Sequence, residues 1–179
     1  MCLGAFFVDF PAAVHHLQQA CVGLMQAIFA GYPEQRESIL QEIAVRACSW
    51  RPMPSKFCYV LKAPKLEKNI QMISALLLSL LQSCCNDKES PSSHHSAEKT
   101  EVKHPALKLL VMFLHNVQVR MQGKKLEKDK DPGYKLLFQS LVTDVCWVVG
   151  APEWPIATLV LQALVKYTYV MCKEDTYPL

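Results

Sequence analysis

Residues 133–165, GYKLLFQSLVTDVCWVVGAPEWPIATLVLQALV, restrict the choice of fold more than any other stretch. Tyr134, Leu137, Phe138, Leu141, Val142 and Val145 recur at the spacing of one helix face. Ile156, Leu159, Val160, Ala163, Leu164 and Tyr167 repeat that spacing after the turn GAPEWP at 150–155. Two amphipathic helices with wide apolar faces are predicted. Gly150 suits a left-handed cap at the end of the first, and Pro155 suits the start of the second. Such a hairpin cannot bury both faces alone, and it is the natural unit of a stacked helical array.

The rest of the chain reads the same way. A helix is expected from about Ala12 to Ala30, stopping at Gly31. Pro33 opens a second, with Ile39, Leu40, Ile43, Ala44 and Ala47 as its buried stripe. It ends near Trp50, since Pro52 and Pro54 cannot continue a helix. Residues 51–66 read as an irregular connection. A third helix is expected from Lys68 to about Cys85, and a fourth from Pro105 to Gln122 with Leu107, Leu110, Val111, Leu114 and Val117 inward.

Two polar stretches interrupt this order. Residues 86–103, NDKESPSSHHSAEKTEVK, have almost nothing to bury and are expected to be disordered. Ser90, Ser92, Ser93 and Ser96 there are candidate phosphate acceptors, though a bare spacer is the simpler reading. Residues 123–132 form a charged linker whose alternating signs give little net field. With the insert discounted, helix pairs recur at roughly 40-residue intervals, the period of HEAT and armadillo repeats. The expectation is a single all-α, HEAT-like solenoid segment of six helices over 1–179, with a plain helical bundle as the alternative.

Composition narrows the class further. Half of the chain is apolar (51%), enough for a substantial core, and the net charge of +3 does not by itself point to nucleic acid. The eight cysteines do not read as a secreted disulfide framework. Cys21, Cys146 and Cys172 fall inside apolar helical patterns, where a free thiol acts as a small hydrophobe. Met1–Val14 lacks the basic start of a signal peptide, so a reducing compartment is expected. Residues 69–86 carry no charge, near the minimum for a membrane span. Gln71, Ser74, Ser79, Gln82 and Ser83 interrupt that run, and a helix buried on two sides explains it better.

Four pieces of text together resemble the HEAT-repeat region of the Nipped-B (delangin) cohesin-loading family. They are YPEQRESILQEI (32–43), IQMISALLLSLLQSC (70–84), YKLLFQSLVTDV (134–145) and APEWPIATLVLQALV (151–165). Their order and spacing match, as does the polar insert after the third helix. The APEWP turn with its following helix is the most specific piece. The resemblance covers most of Cys21–Val170 and implies a segment of a much longer hook-shaped solenoid, as a fragment or a truncated product. It implies a nuclear, chromatin-associated role in sister chromatid cohesion, loading the cohesin ring. The implied partners are double-stranded DNA, the kleisin subunit and the ATPase heads. The family's segment for its TPR-repeat partner is not expected within this text.

The strongest local charge signal is the connection after the second helix. Arg46, Arg51, Lys56, Lys62, Lys65 and Lys68 are opposed only by Glu67, and Trp50, Phe57 and Tyr59 interleave with them. Clustered cations neutralise phosphates, and loops along one edge of a solenoid commonly bind. Arg46, Arg51, Lys56, Lys62 and Lys65 are therefore the candidate nucleic-acid-binding residues, for sequence-independent contact. The plainer reading is a solvated basic loop with its aromatics in the core.

Other constellations carry less. Cys84–Cys85 and His94–His95 are adjacent pairs whose side chains point apart, unlike zinc ligands two to four residues apart. His15, His16, His104 and His115 have no nearby catalytic partner in sequence, and no phosphate-cradling glycine loop or nucleophile elbow is present. Neither an enzyme nor a cofactor is expected. Trp154 with Glu153 is a candidate partner anchor. The preferred reading is that Trp154 plugs the gap between successive helix pairs. A generic HEAT or armadillo interaction scaffold is the alternative function.

Overall fold

The computed structural model describes residues 2–7, 15–47, 51–52, 58–61, 69–85, 104–123 and 133–176. Helices dominate them. They are α1 (Cys2–Phe6), α2 (His15–Gly31), α3 (Arg36–Ala47), α4 (Met72–Ser83), α5 (Pro105–Gly123), α6 (Gly133–Val148) and α7 (Ala157–Thr176). The packing alternates. α2 lies on α4, α3 on α5, α4 on α6 and α5 on α7, while α6 and α7 pack together as a hairpin. First helices thus stack on first helices and second on second, the all-α helical-repeat order expected from the sequence.

α4 is the centre of the array. Every residue from Met72 to Leu81 is buried, including Ser74 and Ser79. This explains the uncharged run at 69–86 without a bilayer: α2, α5 and α6 cover it. No helix among the described residues is long and apolar enough to cross a membrane. The core continues through Phe29, Leu40, Ile43, Phe113, Leu141, Val145, Trp154 and Val160.

The α2–α3 corner depends on Arg36. Its Nε donates to Phe29 O at 2.8 Å and its Nη2 to Ala30 O at 3.4 Å, and the guanidinium carbon lies 5.6 Å from the Phe29 ring centroid. The last carbonyls of a helix have no intrahelical donor, and this cation supplies one from the next element. Pro33–Gln35 form a single 3-10 turn first, so α3 itself starts at Arg36.

Several expectations need correction. An additional short helix, α1, precedes α2, and the Gln18 side chain donates to its Phe6 carbonyl at 3.0 Å. The connection read as irregular contains a strand. Tyr59–Val60 (β1) pairs antiparallel with Asn69–Ile70 (β2), in the register Tyr59 to Ile70 and Val60 to Asn69. The third helix therefore starts at Met72, because Asn69 and Ile70 are taken by the ladder. Val111 faces solvent, and Ala106, Leu109 and Phe113 join the core instead. Cys146 is exposed rather than packed. Gly123 is the last residue of α5 rather than linker, while 86–103 and 124–132 lie outside the described residues.

Candidate nucleic-acid interface

The basic connection leaves α3 and enters α4, and the described parts of it are residues 51–52, 58–61 and 69–71. Arg46 lies on the last turn of α3, where its Nε donates to Glu42 Oε1 at 2.8 Å, an i,i+4 ion pair. Both side chains are partly solvated, so the pair is worth only about 0.3–0.5 kcal/mol and a phosphate can compete for the arginine. Arg51 is exposed. Lys56, Lys62 and Lys65 lie outside the described residues, as do Trp50 and Phe57. The structure therefore brings Arg46 and Arg51 to the start of the connection and leaves the rest of the candidate set unassigned.

Two described points of the connection, Tyr59 in its middle and Gln71 at its end, meet the third helix pair. Trp154, 4% exposed in the α6–α7 turn, packs on half-buried Tyr59 with ring centroids 5.3 Å apart at 52°. It fills the gap between elements, the plainer of its two readings. The turn is set by Gly150, whose φ of 83° ends α6 in the left-handed region while Ala151 N donates to Val148 O at 2.9 Å. Trp154 N then donates to Ala151 O and Ala157 N to Trp154 O, which leads the chain into α7.

Sequence reasoning missed a buried carboxylate beside this contact. Asp144 of α6 is 6% exposed, and its Oδ2 accepts the backbone N–H of Gln71 at 2.9 Å, at the N-cap of α4. Gln71 has no capping side chain of its own there, so the cap is supplied from the next pair. Burial pushes the Asp144 carboxyl above its ordinary range, while the Gln71 amide and the buried Ser74 hydroxyl pull it back down. That hydroxyl lies outside hydrogen-bond geometry. Burial and then the Asp144 charge raise the Cys58 thiol, which places Cys58 in the same cluster. Tyr59 is raised by burial and then by Glu153. Gln82 completes the junction: its Oε1 accepts Ile156 N at 2.9 Å.

No described group of three or more His, Cys, Asp or Glu side chains can hold a metal. Cys84 and Cys85 turn their thiols back to Leu80 O and Leu81 O, and the two side chains diverge. Cys85 Sγ does approach His104 Nε2 at 3.7 Å across the ends of the insert. Burial raises the Cys85 thiol, which works against a reactive thiolate. His94 and His95 lie outside the described residues.

Fold and packing define an all-α helical-repeat segment whose pairs are joined by side-chain-to-backbone caps. No family model matches the chain, and no solved structure matches it. Curated proteins do. It is 31% identical over 174 residues to Nipped-B-like protein B of Danio rerio, 28% over 181 residues to Nipped-B protein of Drosophila melanogaster, and 29% over 177 residues to Nipped-B-like protein of Homo sapiens. Each match covers 89% of this chain but only 6%, 8% and 6% of the relative. The chain is a relative of the Nipped-B family and corresponds to one segment of those much longer proteins.

Proposed function

We propose that this chain is a non-catalytic, nuclear segment of a cohesin loader, acting as scaffold in sister chromatid cohesion and touching DNA without reading its sequence. The observation that carries the reading is the relation to Nipped-B proteins over nearly the whole chain. The basic connection supports it: Arg46 is partly exposed and Arg51 is exposed where α3 ends, and Lys56, Lys62 and Lys65 follow in the same connection. Cations of this kind bind phosphates by counterion release, which needs no base contact. Kleisin and the ATPase heads of cohesin are the protein partners of this reading. No cofactor takes part in it.

Duplex-DNA binding measured against salt tests it, after circular dichroism has established a helical fold. The expected result is binding by the wild type. A variant with Arg51, Lys56, Lys62 and Lys65 all changed to Ala then binds more weakly. Its salt slope is shallower by about 0.9 for each phosphate that the variant no longer neutralises. A folded wild type that fails to bind at low salt overturns the DNA half of the proposal.

One observation favours a second reading, a protein-interaction scaffold. Trp147, Val165, Tyr169 and Val170 on the α6–α7 pair are 43–62% exposed. Large apolar side chains collected on one helix pair are the material of a protein interface. Binding of a protein outside cohesin that is abolished in a Val165→Asp variant, by a folded chain that binds neither DNA nor a cohesin subunit, favours this reading.

A further inference from the structure

α5 packs between α3 and α7 in the row of second helices, so it is not an end of the array. Its outward stripe is nevertheless open. Val111, His115 and Val119, at i, i+4 and i+8, are exposed, the two valines at 43% and 49%. α7 carries a matching stripe, Val165, Tyr169 and Lys173, at the same spacing and also exposed. The Tyr167 hydroxyl donates to Gln118 Oε1 and joins the two helices. Val119 follows one of these partners in sequence and Lys166 precedes the other, and both are exposed beside the joint. Packed helices lie about 8–10 Å apart, so the two stripes flank a shallow groove of the width that a third helix fills. The first helices offer no counterpart at the same level, because α4 is buried from Met72 to Leu81.

The charges on this face have one sign. Residues 105–123 and 157–173 carry Lys108, Arg120, Lys166 and Lys173 and contain no Asp or Glu. All of these cations are exposed. Lys173 Nζ lies 4.7 Å from the centroid of the Tyr169 ring, which sets a cation on the apolar stripe itself. Valines and a tyrosine along the groove offer little to a phosphate backbone. With cations at their margin they complement a helix that is apolar on one stripe and acidic beside it. The chain's own polar segments supply no such helix, since 86–103 and 124–132 hold no run of aliphatic residues. We propose that the α5–α7 face docks an amphipathic helix of a partner protein, with an aliphatic stripe flanked by Asp and Glu. The inference deepens the protein-scaffold reading, on whose exposed α7 side chains it rests, by naming the chemistry of the partner.

The experiment measures fluorescence anisotropy of two designed helical peptides, each of about five turns, titrated with the full chain. Both carry a leucine stripe, flanked by Glu in one and by Lys in the other. The expected result is that the Leu/Glu peptide binds at least about tenfold more tightly than the Leu/Lys peptide, with an affinity that falls as salt is raised. Val119→Asp on α5 and Tyr169→Ala on α7 each weaken it by about tenfold, with helical content unchanged by circular dichroism. Val119→Thr, which keeps the shape of the side chain, falls between Val119→Asp and wild type. Changing Lys166 and Lys173 together to Glu reverses the preference toward the Leu/Lys peptide. Equal affinity for the two peptides overturns the acidic chemistry, and binding that Val119→Asp leaves unchanged overturns the place of α5 in the groove. A wild type that binds neither peptide at about 1 mM overturns the proposal. If that same wild type holds a protein partner that Val165→Asp loses, the scaffold reading stands and only the helix assignment falls. Duplex-DNA binding that is lost on changing Lys166 and Lys173 to Glu, with no peptide bound, assigns the face to phosphate and likewise overturns it.

Discussion

Asp144 of α6 accepts the backbone N–H of Gln71 at 2.9 Å and so caps α4 from the neighbouring helix pair. The carboxylate is buried, and burial holds its pKa above the ordinary 3.8. It therefore costs the fold something to keep it ionised, while its removal strands an amide. Asp144→Ala is expected to destabilise by about 1–3 kcal/mol, the penalty for a buried donor left without an acceptor. Asp144→Asn keeps an acceptor in place and is expected to fall well below that loss. Urea unfolding at neutral pH separates the two.

The same residue has a signed pH dependence. A carboxyl whose folded pKa exceeds its unfolded value binds more protons when folded, so its contribution to stability falls as pH rises through the folded pKa. Stability of the wild type relative to Asp144→Asn is thus expected to increase as the pH is lowered from neutral toward the unfolded value. A difference that is flat, or that shrinks on acidification, contradicts the assignment. Titrating the urea midpoint of both proteins from pH 7 downward checks it.

Arg36 does the analogous work at the first corner, with Nε on Phe29 O at 2.8 Å and its charge over the Phe29 ring. Arg36→Met keeps most of the apolar volume and removes the donors. A loss of about 1.5–3 kcal/mol is expected, the range for hydrogen bonds to a charged group, since the α2 carbonyls then lose their partner. An unchanged urea midpoint means that water replaces the arginine without penalty.

What was legible in the sequence follows from which signals have a period. The stripe of α6 from Leu137 to Val145 and that of α7 from Ile156 to Tyr167 are long enough for a helical repeat to stand out, and these residues are buried or half-buried. The uncharged run at 69–86 marks α4 for the same reason. Tyr59–Val60 and Asn69–Ile70 escape because two residues have no alternation to read. Val111 reads as inward but faces solvent, because Ala106, Leu109 and Phe113 shift the buried face of α5 around its axis. Asp144 and Arg36 did leave traces. An acid inside VTDVCWVV has no solvent role there, and a cation in the first turn of α3 opposes that helix's own dipole. Each sits against its local context because its partner belongs to another element, which a linear reading does not contain. For the candidate site, the charge of the connection was legible, and the contacts of Tyr59 and Gln71 with the third pair were not.

Thiol accessibility follows from burial. Among the described cysteines, Cys21, Cys58 and Cys84 are buried, while Cys85 and Cys146 are exposed. Brief alkylation of the folded chain, mapped by peptide mass, is expected to mark Cys146 and to leave Cys21, Cys58 and Cys84 unmodified until denaturant is added. Cys85 should react slowly near neutral pH despite its exposure, because burial of its surroundings raises the thiol and the thiolate is the nucleophile. Its labelling should accelerate as the pH is raised. Rapid native labelling of Cys58 would contradict the closed junction between the ladder and α6.

Gly150 separates a backbone requirement from a packing one. Its φ of 83° is in the left-handed region, yet a Cβ built there meets nothing within 4 Å. Replacement by alanine therefore creates no clash, and its cost comes only from the conformation itself, about 1–2 kcal/mol for an L-residue. Gly150→Asn should recover part of that loss, because asparagine tolerates this region better than alanine does. Gly23, in the middle of α2, also has open space around it, with no left-handed φ. Gly23→Ala is thus expected to stabilise by about 0.4–1 kcal/mol through the entropy of the unfolded chain. Opposite signs at two equally uncrowded glycines, read from urea midpoints, confirm that the turn before Trp154 is fixed by backbone conformation. Equal signs would mean that Gly150 does not hold the left-handed geometry that aims Trp154 at Tyr59.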